Sequence, residues 1–289
     1  MSTNSINLSE RHKSMGQNIS DKDIIANVDY VMKSLPQNVV STTQSSDELK
    51  VQNVKITRTD NLITMEQMQK MWPGVETSKM KPIMDELNAN LTEYKLDTPN
   101  RKAHFMGQVR QEIGPDFVLR EDLARYTSKN LKDNFGYYSK HPNEAETDAK
   151  ITPNSLKEAT IANNAYMDKN RSEKAALGNI EIGDGYKFIG RGLKQTTGRY
   201  NYEVMNKIYP KVWSDEKINF LETPELLEQP KYAARSAVVF WLDKKLYISA
   251  DKGVNGKYID EVSTVINRYD TPSFSRRRGF VQEAAKIFK

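Results

Sequence analysis

Thr98-Pro99-Asn100-Arg101-Lys102-Ala103-His104-Phe105-Met106-Gly107-Gln108-Val109-Arg110-Gln111-Glu112-Ile113-Gly114-Pro115 is a helix with both of its ends written into it. Thr98 is a side-chain N-cap, and Pro99 suits the first helical position, where its missing N–H costs nothing. Ala103, Met106, Val109 and Ile113 recur at spacings of three and four and form an apolar stripe. Gly114-Pro115 stops the helix. A second row, Phe105, Gln108 and Glu112, is polar to mixed and leaves a carboxylate in the last turn. There the negative end of the helix dipole favours its protonated form, as a general acid requires.

The same grammar extends outward. Thr64 caps a helix bearing Met65, Met68 and Met71, closed by Trp72-Pro73-Gly74. A second helix is predicted over residues 79–94, with Met80, Ile83, Met84, Leu87 and Leu91 on one face. Helices are also expected over 155–165, 224–227, 231–242 and 273–288, with a further stripe at Ile259, Val262, Val265, Ile266 and Tyr269. Residues 1–60 are rich in Ser, Asn, Gln, Thr and Asp; they read as a weakly ordered arm or delivery segment with one short helix at 21–35. The domain proper is then 61–289, mainly α, with helix disfavoured between Gly178 and Gly198 and at most a short β-hairpin, near Tyr186–Phe188.

Composition removes whole classes of function. With no cysteine there is no disulfide, thiol nucleophile or thiolate zinc site, and His12, His104 and His141 are too scattered for a histidine-rich metal site. No cofactor or metal is expected. The longest apolar run, Ala237-Val238-Val239-Phe240-Trp241-Leu242, is too short to span a bilayer, and the N-terminus lacks the basic and apolar regions of a signal peptide. A net charge of +5 suits an anionic partner such as a cell-wall polymer, but no nucleic-acid-binding signature is present.

The second stretch that carries chemistry is Gly183-Asp184-Gly185-Tyr186-Lys187-Phe188-Ile189-Gly190-Arg191-Gly192-Leu193-Lys194-Gln195-Thr196-Thr197-Gly198-Arg199-Tyr200-Asn201-Tyr202. Its glycines let backbone approach a ligand, and Gln, Thr and Asn offer neutral donors and acceptors to sugar hydroxyl and N-acetyl groups. It lacks the phosphate-loop pattern. Glu121, nine residues beyond Glu112, lies past the helix break, so the two carboxylates cannot share a helical face but can oppose each other across a cleft. An inverting glycosidase needs its carboxyls roughly 6.5–9.5 Å apart, with a water between.

These two stretches resemble glycoside hydrolase family 19, in its bacterial and phage branch of cell-wall lytic enzymes. Residues 190–202 match a Gly-Arg-Gly-x-x-Gln-x-Thr-Gly-Arg-x-Asn-Tyr pattern; Phe105, Gln108, Glu112 and Gly114 match a Phe-Leu-Ala-Gln-x-x-His-Glu-Ser-Gly-Gly pattern. Thr98–Arg101, Glu222–Leu226 and the helix around Ala237–Trp241 agree as well, so the likeness runs from about Asn61 to the C-terminus. It implies a lysozyme-like, two-lobed helical domain with a central cleft and an inverting mechanism. Glu112 is then the acid, Glu121 the base, and Thr197 the hydroxyl that helps hold the water. Gln195, Tyr200, Asn201 and Asn267 line the sugar site, and Arg277 supports the carboxylates. The chain departs from the pattern at Gln111, Ile113-Gly114-Pro115, Arg268-Tyr269, Lys194 and Thr196, positions that bear on loop shape and substrate preference.

The resemblance implies a peptidoglycan hydrolase of the muramidase type, with chitinase and an inactive wall-binding module as alternatives. Peptidoglycan is the expected partner of a monomer. Made in the cytoplasm without a signal peptide, the protein would reach the wall in the periplasm of a host or target cell by holin-dependent release or through a secretion machine with an immunity partner.

Overall fold

The computed structural model describes residues 61–289; the arm, its helix and its linker lie outside the described residues. Thirteen α-helices are described: α1 Met65–Met71, α2 Thr77–Ala89, α3 Pro99–Ile113, α4 Ser128–Asn134, α5 Gly136–Lys140, α6 Pro142–Asp148 and α7 Asn154–Tyr166 precede α8 Asp184–Lys187, α9 Arg199–Val212, α10 Pro230–Asp243, α11 Leu246–Asp251, α12 Gly256–Asn267 and α13 Phe274–Ile287. The mainly α class is as expected.

Local chemistry sets the helix ends. Thr64 caps α1 in a reciprocal box with Gln67, and the Thr98 hydroxyl accepts from the Arg101 N–H at the start of α3. Asn255 caps α12 in the same way, accepting from the Tyr258 N–H. Helix α2 ends at Ala89, short of the predicted Tyr94. Tyr94 instead turns its hydroxyl to Glu86, 2.8 Å away, and receives the Trp213 indole N–H at 3.1 Å.

Two hydrophobic clusters divide the domain. The larger gathers α1 to α3 and α9 to α13, with Trp72, Ile83, Leu87, Phe105, Met106, Val238, Trp241 and Phe288 inside. Burying a side chain such as Leu87 contributes about 1.5–3 kcal/mol. Helices α3 and α10 are buried on nearly every side and touch edge to face through Phe105 and Trp241, ring centroids 5.7 Å apart. The buried Arg235 of α10 is neutralised by Glu86 and Glu216, each 2.7 Å away, as a buried charge requires. The smaller cluster gathers Leu123, Leu131, Phe135, Tyr138, Ala145, Ile161, Ala162, Ala165 and Ile189 from α4 to α7 and the loops beside them. Ile113 belongs to the first cluster and Leu123 to the second; Phe188 and Leu193 belong to the first and Ile189 to the second. The segments around 114–122 and 189–193 therefore run along the seam between the lobes.

Two expectations are corrected. No hairpin forms at Tyr186–Phe188; that segment holds the helical turn α8, inside the span where helix was disfavoured. Gly183 enters it with φ 90°, and the Asp184 carboxylate accepts the N–H groups of Ile180 and Glu181 at 3.1 and 3.0 Å, closing the turn. The β pairing among the described residues is a pair of isolated bridges, Arg120 to Arg191 and Arg191 to Thr196. The stripe of α12 also stops short: Ile259 and Val262 are buried, whereas Val265 and Tyr269 are exposed, Tyr269 lying beyond the helix.

Candidate active site

Glu112 owes its surroundings to a glycine one turn earlier. Helix α13 crosses α3 so closely that a Cβ on Gly107 would lie 2.6 Å from the Cα of Val281. That approach brings the buried Arg277 of α13 against the C-terminal turn of α3. Its Nη1 donates to Gln108 Oε1 and its Nε to the Ser273 hydroxyl, both at 2.9 Å. Gln108 donates in turn to Ser263 Oγ at 3.0 Å, and Ser263 to the Ile259 carbonyl at 2.8 Å. The remaining nitrogen, Nη2, lies 2.8 Å from Glu112 Oε1, an ion pair without a directed hydrogen bond, and 3.6 Å from Asp270 Oδ2. The guanidinium is thus fixed by two neutral partners and presents its charge to Glu112, the carboxylate beside which the family resemblance places it.

Glu112 also borders a small open pocket with apolar walls, among them Phe105, Leu193, Phe240, Trp241 and Ile266. Gln108 and Lys194 complete its polar lining.

Glu121 sits on the other side of the seam. Its N–H donates to the Gly190 carbonyl at 2.9 Å, beside the Arg120–Arg191 bridge. The Tyr166 hydroxyl at the end of α7 donates to its carboxylate, 2.8 and 2.9 Å from the two oxygens. Burial pushes the Glu121 carboxyl up from its ordinary range, against the downward pull of Tyr166, the Gly190 backbone and Arg120; Glu158 adds a small upward push. Arg120 is itself paired with Glu158, Nη1 to Oε1 at 2.9 Å. Burial, then the Glu121 charge, hold the Tyr166 phenol well above its usual range.

The Gly-Arg-Gly segment positions this carboxylate. A Cβ on Gly190 would lie 2.8 Å from Gln195 Oε1, 3.2 Å from Thr197 Oγ1 and 3.6 Å from Glu121 Cβ, so the base candidate, Gln195 and Thr197 converge on one spot of bare backbone. Arg191 is buried and pinned by Glu228 at 2.7 Å, the Lys187 carbonyl at 2.8 Å and the Tyr202 hydroxyl at 3.2 Å. Gly192, with φ +73°, packs on α10, where a Cβ would meet Ser236 Oγ at 2.4 Å. Gln195 takes a left-handed backbone, φ 50°, and its amide holds that shape by donating to the Val118 and Gly192 carbonyls, both at 3.2 Å. Within one loop, Leu193 and Lys194 line the Glu112 pocket, while Gln195 and Thr197 flank Glu121.

The other singled-out residues divide. Asn201 donates to the Thr197 carbonyl at 2.6 Å, bracing that loop from the first turn of α9. Tyr200 is half-buried, and burial, with Asp243 and Glu203, raises its phenol. Asn267 is exposed at the end of α12, beside Ile266 of the pocket; no contact joins it to either glutamate. Asp184, offered as part of the ligand loop, is instead buried and bound to Arg199 Nε at 2.8 Å, a staple between the loop and α9. Tyr166 was not foreseen: it lies 45 residues from Glu121, and no periodicity links the two. The one available signal was the helix predicted over 155–165, which ends a residue short of it.

Two carboxylates of different surroundings are thus borne on the two sides of the interlobe seam, Glu112 against Arg277 and Glu121 against Tyr166. Among the described residues no group of three His, Asp or Glu side chains could hold a metal ion, and no helix is long and apolar enough to cross a membrane. No protein-family model matches the chain. A glycosyl hydrolase family 19 domain-containing protein of Haemophilus influenzae is similar to it, with 26% identity over 162 residues, 56% of this chain and 71% of the relative.

Proposed function

We propose that this chain, a glycosidase related to glycoside hydrolase family 19, is a muramidase-type peptidoglycan hydrolase that cuts the β-1,4 bond between N-acetylmuramic acid and N-acetylglucosamine with inversion. The observation that carries the reading is the loop at 190–197, which borders the surroundings of Glu112 on one side and of Glu121 on the other. Glu112 protonates the glycosidic oxygen. Arg277 fixes where that carboxyl points and, because its own position is set by Gln108 and Ser273, stays in place as the proton leaves. Glu121 takes a proton from the attacking water. The Thr197 hydroxyl hydrogen is committed to the Gln195 carbonyl at 3.0 Å, so its oxygen meets that water as an acceptor. The water gives one hydrogen to Thr197 and one to Glu121, and its lone pair is left for the anomeric carbon. Gln195, Tyr200, Asn201 and Asn267 line the sugar path.

The substrate wall lies outside the cytoplasm, so the reading requires a route: release through a holin, or delivery by a secretion machine with residues 1–60 as the address and an immunity protein in the producer. The test is digestion of purified Gram-negative peptidoglycan by the wild type and by Glu112→Gln, with products identified by mass spectrometry. Products with muramic acid at the reducing end, absent with the variant, support the reading. Soluble N-acetylglucosamine oligomers released from chitin, with peptidoglycan left intact, would make the protein a chitinase. Tight wall binding with no cleavage would make it a binding module.

A further inference from the structure

The loop that borders both carboxylates places a cation beside the apolar walls of the Glu112 pocket. Lys194 is half-buried and lines the same cavity as Glu112. Its Nζ stands 4.7 Å from the centroid of the Phe240 ring, another wall of that cavity. Ring and ammonium attract, which holds the charge at that wall. Glu112, which shares the pocket, lies 2.8 Å from the buried Arg277 through Oε1 and not against Lys194. Among the described residues Lys194 forms no ion pair of its own; its recorded partner is the Phe240 ring. A positive charge in a concave, largely apolar setting attracts an anion more strongly than one on open surface, because less water screens it.

We propose that Lys194 is a specificity-determining residue that binds a carboxylate carried by the substrate sugar, so that the site favours carboxylate-bearing amino-sugar chains over neutral N-acetylglucosamine chains. The proposal rests on the glycosidase reading and sharpens it. A chain of neutral N-acetyl sugars offers the ammonium only hydroxyl and amide oxygens. A muramic acid whose lactyl group is free, or a stem peptide with its own carboxylates, offers a full counter-charge. The competing role for Lys194 is structural: its methylene stem covering Phe240, with the ammonium led out to water.

Lys194→Met separates these roles, because it keeps the stem and removes the charge; Lys194→Arg keeps the charge. Three probes are used with each protein: glycan strands stripped of stem peptide, so that every muramic acid carries a free carboxylate; the same strands with those carboxylates amidated; and N-acetylglucosamine hexamers. The expected result for Lys194→Met is a KM about five- to tenfold higher on the free-carboxylate strands. The loss lies mainly in KM, is several-fold smaller on the amidated strands and hexamers, and Lys194→Arg retains most of the wild-type preference. The wild-type preference also weakens with added salt, and that of Lys194→Met does not. An equal loss on all three probes, or no change on the free-carboxylate strands, overturns the proposal. A wild type that cleaves none of the probes defeats the glycosidase reading itself. Calorimetric binding of the free-carboxylate and amidated strands then decides Lys194 separately: a preference for the free carboxylate that Lys194→Met abolishes supports it, and equal affinities overturn it.

Discussion

Tyr166→Phe removes a single hydroxyl and leaves the ring contacts of α7 in place, including the edge-to-face packing on Phe135 with centroids 5.7 Å apart. What is lost is the donor lying 2.8 and 2.9 Å from the oxygens of Glu121. A hydrogen bond to a charged group contributes about 1.5–3 kcal/mol, and roughly 1.4 kcal/mol is tenfold in an equilibrium. The ionised form of Glu121 is therefore disfavoured roughly 10- to 100-fold relative to wild type. Burial already pushes this carboxyl up, and the variant removes one of the groups pulling it down, so it rises further. The other groups facing it do not compensate: Arg120 is engaged by Glu158, whose charge pushes Glu121 the same way as burial, and Tyr126 is a neutral phenol raised by burial and by the Glu121 charge. A base must be ionised to act, so the acid limb of kcat/KM moves to higher pH. At the acid end kcat/KM falls by roughly 10- to 100-fold, and the alkaline limb stays in place. The assay is initial-rate turbidity loss of purified peptidoglycan across pH, with thermal unfolding alongside. An acid limb that does not move, while the variant is folded, would refute the assignment of Glu121 as the base held by Tyr166.

Arg277→Met leaves Gln108 and Ser273 without their shared donor and Glu112 without its ion-pair partner; it is expected to cost about 3–5 kcal/mol in urea unfolding, and Arg277→Lys should not restore it, since one ammonium cannot reproduce the guanidinium fork. Gly107→Ala forces a methyl against the Val281 backbone, so unfolding should be easier by about 1–3 kcal/mol and hydrolysis should fall with it as α13 carries Arg277 away from Glu112. Unchanged stability in that variant would mean that α3 and α13 part at little cost. His104 is fully buried, and that burial depresses it below its ordinary range, against a small upward pull from the Gly253 carbonyl. The unfolded chain therefore takes up the proton first, so the stability that neutral His104 contributes is present above its unfolded value and is lost as pH falls toward the folded one. The urea midpoint should drop between pH 7 and pH 5, and His104→Gln should flatten that drop.

How far the sequence carries can be judged element by element. The ends of α3 follow from Thr98, Pro99 and Gly114, because caps and stops are satisfied within a few residues of chain. The cap of α1, the α-class and the identity of the loop at 190–202 are legible for the same reason: their information is local. The likeness to a family 19 protein also came from contiguous motifs, and the Haemophilus influenzae relative bears it out. What could not be read is who meets whom. Nothing near Glu121 in the sequence names Tyr166, and nothing near Asp184 says that its carboxylate is spent on the Ile180, Glu181 and Arg199 N–H groups rather than offered to a ligand.

The sequence by itself determined the caps of α1 and α3 and the stop of α3, that no thiol chemistry is available, and which short segments bear the polar groups of the candidate site. Only the tertiary structure decided how those groups are held. It alone brought Arg277, 165 residues after Glu112, to within 2.8 Å of it across the bare backbone of Gly107, and set Glu121 under a tyrosine. The reason is physical: a helix signal is an interaction among neighbours a few residues apart, whereas the environment of a carboxylate is a sum over everything that packing brings near, whatever its distance along the chain.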